Sequence, residues 1–127
     1  MNNYSINIDI FRKGNYKIFS IRLMNREFEA IKHSTIDQSS DTLCRKTLIP
    51  EQTKDIEYII SALSFGSLHD EYTNRGVKGE YHLIYYITRD EEQKEIYVYY
   101  EDQTDLKRLY EKLMALVPEA ERIWYYR

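Results

Sequence analysis

Alternation with a period of two restricts this chain more than any other feature. In residues 4–11, Tyr4, Ile6, Ile8 and Ile10 alternate with Ser5, Asn7 and Asp9. Residues 81–88 and 95–101 repeat the pattern with tyrosine as the recurring residue. Successive side chains of a strand point to opposite faces, so β-branched and aromatic residues at this spacing predict strands with one buried face. The two tyrosine-rich segments flank a polar stretch, residues 90–94, and read as a hairpin. Turn signals at Gly14-Asn15 and Met24-Asn25 divide the N-terminal third into strands over 4–11, 16–23 and 26–33, a three-stranded meander.

Two stretches switch to helical spacing. Pro50 and Glu51 suit a helix start, and Ile56, Ile59, Ile60 and Leu63 recur on one face, so a helix is expected over 51–64 with Gly66 ending it. Leu106, Leu109, Tyr110, Leu113, Leu116 and Val117 form the apolar stripe of a second helix. Asp102 or Thr104 is placed to cap it, and Pro118 to stop it. Residues 34–47 and 67–79 are polar, lack a period and read as loops. The aromatic terminus, Trp124, Tyr125 and Tyr126, reads as a short strand or a docked tail. The order β-β-β-α-β-β-α predicts one α+β domain over residues 1–127. Its expected form is a two-layer sandwich with a mainly antiparallel five- or six-stranded sheet, the sixth strand being C-terminal. Two amphipathic helices need one apolar surface, so both are expected on the same sheet face.

That arrangement leaves the other face open. Alternation sends Leu83, Tyr85, Ile87, Ile96, Val98 and Tyr100 inward. It sends His82, Ile84, Tyr86, Thr88, Glu95, Tyr97, Tyr99 and Glu101 outward. In the meander it exposes Ser5, Asn7, Asp9, Tyr16, Ile18, Ser20, Arg22, Glu27, Glu29, Ile31 and His33. The chain holds 13 Tyr against 1 Trp and 4 Phe. A tyrosine packs its ring against a sheet and keeps a polar tip for water or a partner. Cross-strand aromatics stabilise a sheet by about 0.2–1 kcal/mol per pair. They also dominate the energetic centres of protein interfaces. The expected partner-binding surface therefore has Ile84, Tyr86, Tyr97 and Tyr99 at its centre. Glu95, Glu101, Asp90 and Glu92 form its charged rim.

Catalytic chemistry is poorly represented. Cys44 is the one cysteine, which excludes an intramolecular disulfide and a multi-cysteine metal site. Arg45 and Lys46 beside it favour thiolate, but no base is identifiable to serve a nucleophile. His69-Asp70-Glu71 lacks the paired-histidine spacing of a zinc helix. None of the four glycines falls in a phosphate-cradling pattern. No cofactor or metal is implied. A second reading places a small molecule or nucleotide between the 34–47 and 67–79 loops, lined by Cys44, His69, Tyr72 and Arg75.

The formal net charge of -3 disfavours nucleic acid, and the acidic clusters Asp90-Glu-Glu92 and Glu101-Asp102 would suit a basic protein partner such as a toxin or nuclease. No apolar run approaches a membrane span, and the N-terminus lacks a signal-peptide pattern, so a cytoplasmic location is expected. Abundant Asn, Lys, Ile and Tyr suggest an AT-rich bacterial or phage source. In size and composition the chain resembles small acidic inhibitors such as immunity proteins that neutralise bacterial toxins. The expectation is a non-enzymatic protein-binding module that occludes its partner, with a homodimer as a further form of self-association through the sheet.

Overall fold

The period-two pattern buries what it should: Tyr4, Ile6, Ile8 and Ile10 line one face of the first strand and all lie in the core. The computed structural model describes residues 3–74, 76, 79, 81–101 and 103–125. Its elements are β1 (Tyr4–Arg12), β2 (Tyr16–Met24), β3 (Glu27–His33), β4 (Ser40–Thr47), α1 (Pro50–Ala62), β5 (Glu71–Thr73), β6 (Tyr81–Arg89), β7 (Glu92–Tyr99) and α2 (Thr104–Met114). A short 3-10 turn, Glu119–Glu121, follows. The strands form one sheet in the order β4-β3-β2-β1-β6-β7-β5. Every neighbouring pair is antiparallel except β5 with β7.

The fold is α+β with both helices on one sheet face, as the patterning predicts. The sheet has seven strands, two more than alternation alone supports. Both added strands come from segments read as loops. Ser40–Thr47 forms the β4 edge, and Glu71–Thr73 adds the short β5 at the opposite edge. Among the described residues no strand follows α2. The terminus docks instead through Tyr125, which is buried and whose hydroxyl accepts the Tyr100 N–H at 2.6 Å. Trp124 remains exposed.

The helix-covered face carries Phe19, Ile21, Leu23, Phe28, Ala30, Leu83, Tyr85, Ile87, Ile96 and Val98. Against it α1 packs Ile56, Ile59 and Ile60, and α2 packs Leu106, Leu109, Tyr110, Leu113 and Met114. Each such aliphatic or aromatic side chain contributes about 1.5–3 kcal/mol by leaving water. The tyrosines in this layer are not left with orphaned hydroxyls. Tyr85 donates to the Leu106 carbonyl at 2.9 Å, and Tyr110 donates to the Ile123 carbonyl.

Helix ends are secured by side chains that the sequence did not single out. Gln103 caps α2 by accepting the Leu106 N–H at 2.8 Å. Thr104 is already the first helical residue, and Asp102 lies outside the described residues. The C-terminal carbonyls of α1 are held by Arg89 at the end of β6. Its Nη1 donates to the carbonyls of Ile60, Ser61 and Leu63 at 3.1, 3.2 and 2.6 Å. A cation there satisfies groups that have no partner within the helix and complements its dipole. The same guanidinium lies 4.3 Å from the centre of the Phe65 ring. Gly66 sits beyond the Leu63 C-cap and does not end the helix.

Two bulges set the register. Between β1 and β2, Ile10 opposes Phe19 while Phe11 opposes Lys17, so Ile18 is the extra residue. Lys17 thereby reaches the open face, 3.6 Å from Asp9. Tyr16 and Ile18 do not share that face: Tyr16 opposes Arg12, and Ile18 lines a cleft with Arg12, Phe19 and Ile123. Between β3 and β4, Ala30 opposes Cys44 while Ile31 opposes Thr42, leaving Leu43 extra.

Candidate functional site

The sheet face without helices divides into an aromatic half and a polar half. In the aromatic half, β6 runs between β1 and β7. Ile84 opposes Asp9 on one side and Tyr97 on the other, and Tyr86 opposes Asn7 and Glu95. Phe11, His82 and Tyr97 form a stack across three strands. The Phe11 and His82 rings are nearly parallel at 4.9 Å, and His82 lies 5.1 Å from Tyr97. His82 was expected to be exposed, but the two rings bury it to 9%. Burial also lowers its pKa, because an imidazolium between aromatic rings loses hydration.

Ile84, Tyr86, Tyr97 and Tyr99 are half-buried on this face, and none lies under a helix. The hydroxyls of Tyr86 and Tyr97 have no hydrogen-bond partner among the described residues. Both phenols are shifted up, by burial first and then by nearby carboxylates: Asp9 and Glu95 for Tyr86, Glu71 for Tyr97. They stay neutral at ordinary pH and remain available as donors. Tyr99 differs. Its hydroxyl accepts the Gly79 N–H at 3.1 Å, so its tip lies under the chain that follows β5. That segment approaches closely, because a Cβ on Gly79 would sit 1.6 Å from the Tyr100 ring.

The charged rim is only partly as expected. Glu95 is exposed and on the tyrosine face. Glu92 is not on that face. The hairpin turn consists of Asp90 and Glu91 alone, so β7 begins earlier than its composition suggests. Glu92 then opposes Arg89 on the helix side and pairs with it at 3.0 Å. Asp90 sits at the turn with φ 53 and ties the sheet to Asn3: its Oδ1 accepts the Asn3 N–H at 3.1 Å. Glu101 is exposed, but β7 ends at Tyr99 and Tyr100 has φ 53, so alternation does not extend to it. The structure adds Glu71 instead, which β5 places opposite Tyr97. Asp70 next to it is ion-paired with Lys94 at 2.8 Å, which holds its carboxyl below the usual range.

In the polar half, four strands contribute to one chain of hydrogen bonds. Ser20 on β2 donates to Asp9 on β1 at 2.7 Å. Its oxygen lies 2.9 Å from His33 Nε2 on β3, and His33 Nδ1 lies 2.9 Å from the Ser40 hydroxyl on β4. A hydroxyl has one proton, and Ser20 gives it to the carboxylate. Nε2 is therefore the donor to Ser20, and Nδ1 of the neutral ring accepts from Ser40. The His33 pKa is lowered by burial first and then by Lys17, with Asp9 acting in the opposite sense. Asn7 also donates to Asp9, at 3.2 Å. Glu29 is gripped by Arg22 and Arg45 at 3.3 and 3.1 Å. The residue types are those of a hydrolase triad, but the order is not. Serine lies between acid and histidine, is 0% exposed and donates its proton to the acid. Nothing in the sequence revealed this set, because four separate strands must be in register to form it.

The residues of the second reading do not converge. Cys44 is half-buried on β4, at one edge of the sheet, opposite Ala30 on the helix side. Tyr72 is on β5, at the other edge, with Val98 opposite. Six strand spacings separate the edges, on the order of 29 Å. His69 does meet Tyr72: its N–H donates to the Tyr72 hydroxyl at 3.1 Å and the rings are edge-to-face at 5.5 Å. Arg75 lies outside the described residues. No three His, Cys, Asp or Glu side chains among the described residues gather as metal ligands would. No helix among them is long and apolar enough to cross a membrane.

No protein-family model and no curated protein matches this chain.

Proposed function

We propose that this chain is a non-enzymatic protein-binding module that docks a partner on the aromatic half of its open sheet face. One observation carries the reading. Ile84, Tyr86 and Tyr97 form a contiguous apolar strip on a face that no helix covers, and neither of its two hydroxyls has a hydrogen-bond partner among the described residues. Large rigid rings with free polar tips supply contact area and hydrogen bonds with few side-chain torsions to freeze. Glu95 and Glu71 on the same face favour a basic partner, such as a cationic toxin or nuclease, and would speed the encounter. Occlusion of the partner's own working surface is the mode of action this face suits, as in the small acidic inhibitors the chain resembles in size and composition.

The test is capture from the native host by the tagged chain, compared with Tyr86→Ala/Tyr97→Ala and with Tyr58→Ala. Tyr58 is 70% exposed on α1 and serves as a control on the opposite layer. The double variant should stay folded and lose at least about 30-fold in affinity for the captured protein. Tyr58→Ala should bind like the parent. Equal capture by the double variant and the parent would remove the tyrosine strip as the docking site.

A further inference from the structure

The two edges of the sheet are unequal. The β5 edge is three residues long and runs parallel to its neighbour. The β4 edge is eight residues long, and no strand among the described residues pairs with its outer side. An unpaired strand presents a row of N–H and C=O groups that another strand can match. Charged residues on such an edge deter arbitrary pairing, so their order decides which strand fits.

On β4 the order is Asp41 near one end and Arg45 with Lys46 near the other. A two-fold axis perpendicular to the sheet lays a second copy alongside in the reverse direction, so the acidic end of each meets the basic end of the other. The bulge makes the register work. Asp41 and Lys46 are five residues apart, and plain alternation would put them on opposite faces. The extra residue at Leu43 restores a common face: Asp41 opposes Lys32 and Lys46 opposes Phe28, both on the helix side. Thr42 and Arg45 likewise share the open side, opposite Ile31 and Glu29. With Leu43 and Cys44 counted as one ladder position on the axis, 41 aligns with 46, 42 with 45 and 40 with 47. The Asp41 carboxylate has no ion pair or hydrogen bond among the described residues. Its cross-strand neighbour Lys32 is 3.6 Å from Glu121 instead.

We propose that β4 is a self-recognition edge, where two copies join antiparallel about a two-fold axis into one continuous sheet. Asp41 of each copy then meets Lys46 of the other. This surface is remote from the tyrosine strip and does not depend on it.

Sedimentation or light scattering of the full chain, from dilute to millimolar protein, tests the proposal. The parent should move from 15.4 kDa toward twice that mass. Asp41→Lys and Lys46→Asp should each weaken association at least about tenfold, because each sets like charges against each other. Mixed in equal amounts, they should associate as a heterodimer, since every cross-edge pair is then of opposite sign. A parent that stays at 15.4 kDa throughout, or a mixture that stays monomeric while both variants are folded, overturns the proposal. Lys46 also donates to the Leu116 carbonyl, so Lys46→Asp must be checked by its melting curve. If it melts early, Asp41→Lys decides alone: a folded variant that still dimerises refutes the edge.

Discussion

The two halves of the open sheet face use their polar atoms in opposite ways. In the half built on β1 to β4, hydroxyl, imidazole, carboxylate and guanidinium groups satisfy one another. Asp9 and Ser20 are as buried as core residues although no helix covers them. In the half built on β6 and β7, rings pack on rings and the tips of Tyr86 and Tyr97 have no partner among the described residues. A face can thus be open in topology yet closed in chemistry. On the proposed reading, this difference in how polar atoms are used, rather than exposure alone, is what favours the aromatic half as the docking surface.

The sharpest way to break the contrast is to remove the hydroxyl at the centre of the polar half. Ser20→Ala deletes the link between Asp9 and His33, and should cost about 1–3 kcal/mol in denaturant unfolding while leaving partner affinity unchanged. A variant as stable as the parent would mean that the network is incidental.

Acidification probes both halves at once. His33 and His82 have folded-state pKa values below their unfolded value, so the unfolded chain takes up protons first as pH falls. Their stabilising contribution is complete above the unfolded value of about 6.5 and is lost as pH drops from there toward the folded values. Unfolding midpoints should therefore decline between about pH 7.5 and 5.5. The decline should shrink in His82→Gln and in His33→Gln. A flat profile over that window would contradict the burial of both rings.

Smaller changes sharpen the aromatic half. Tyr97→Phe keeps the ring and deletes an unused hydroxyl, so stability should move by less than about 0.5 kcal/mol. Partner binding should weaken by about 0.5–1.5 kcal/mol in titration calorimetry. Smallest of all, Glu95→Gln should slow association with a basic partner about two- to fivefold at low salt, and the difference should fade as salt is raised. An unchanged on-rate at low salt would separate the carboxylate rim from recognition.

Much of this layout is legible in the sequence. Alternation in β1, β6 and β7 is regular because the β1–β6 and β6–β7 ladders run without a bulge and the extra residue opposite β1 lies in β2, so inward and outward residues of these strands fall where period two puts them. β4 carries no strand pattern in the sequence because an edge strand buries little. Leu43 and Cys44 are its only apolar residues, and the bulge sets them side by side. β5 is too short to show a period and exists because β7 offers it an edge. Glu92 falls on the helix side because the polar run 90–94 reads as a loop, whereas a two-residue turn suffices and β7 starts at Glu92. The Asp9–Ser20–His33–Ser40 chain is a property of register, and register depends on bulges at Ile18 and Leu43 that no local pattern announces.

The grip of Arg89 on the last carbonyls of α1 has a consequence for recognition. It fastens the end of the tyrosine hairpin to the helical layer behind it, and on the proposed reading this would give the docking surface a firm backing. A stiff surface loses little freedom when a complex forms, which favours slow release of a well-matched partner and leaves any reshaping to that partner.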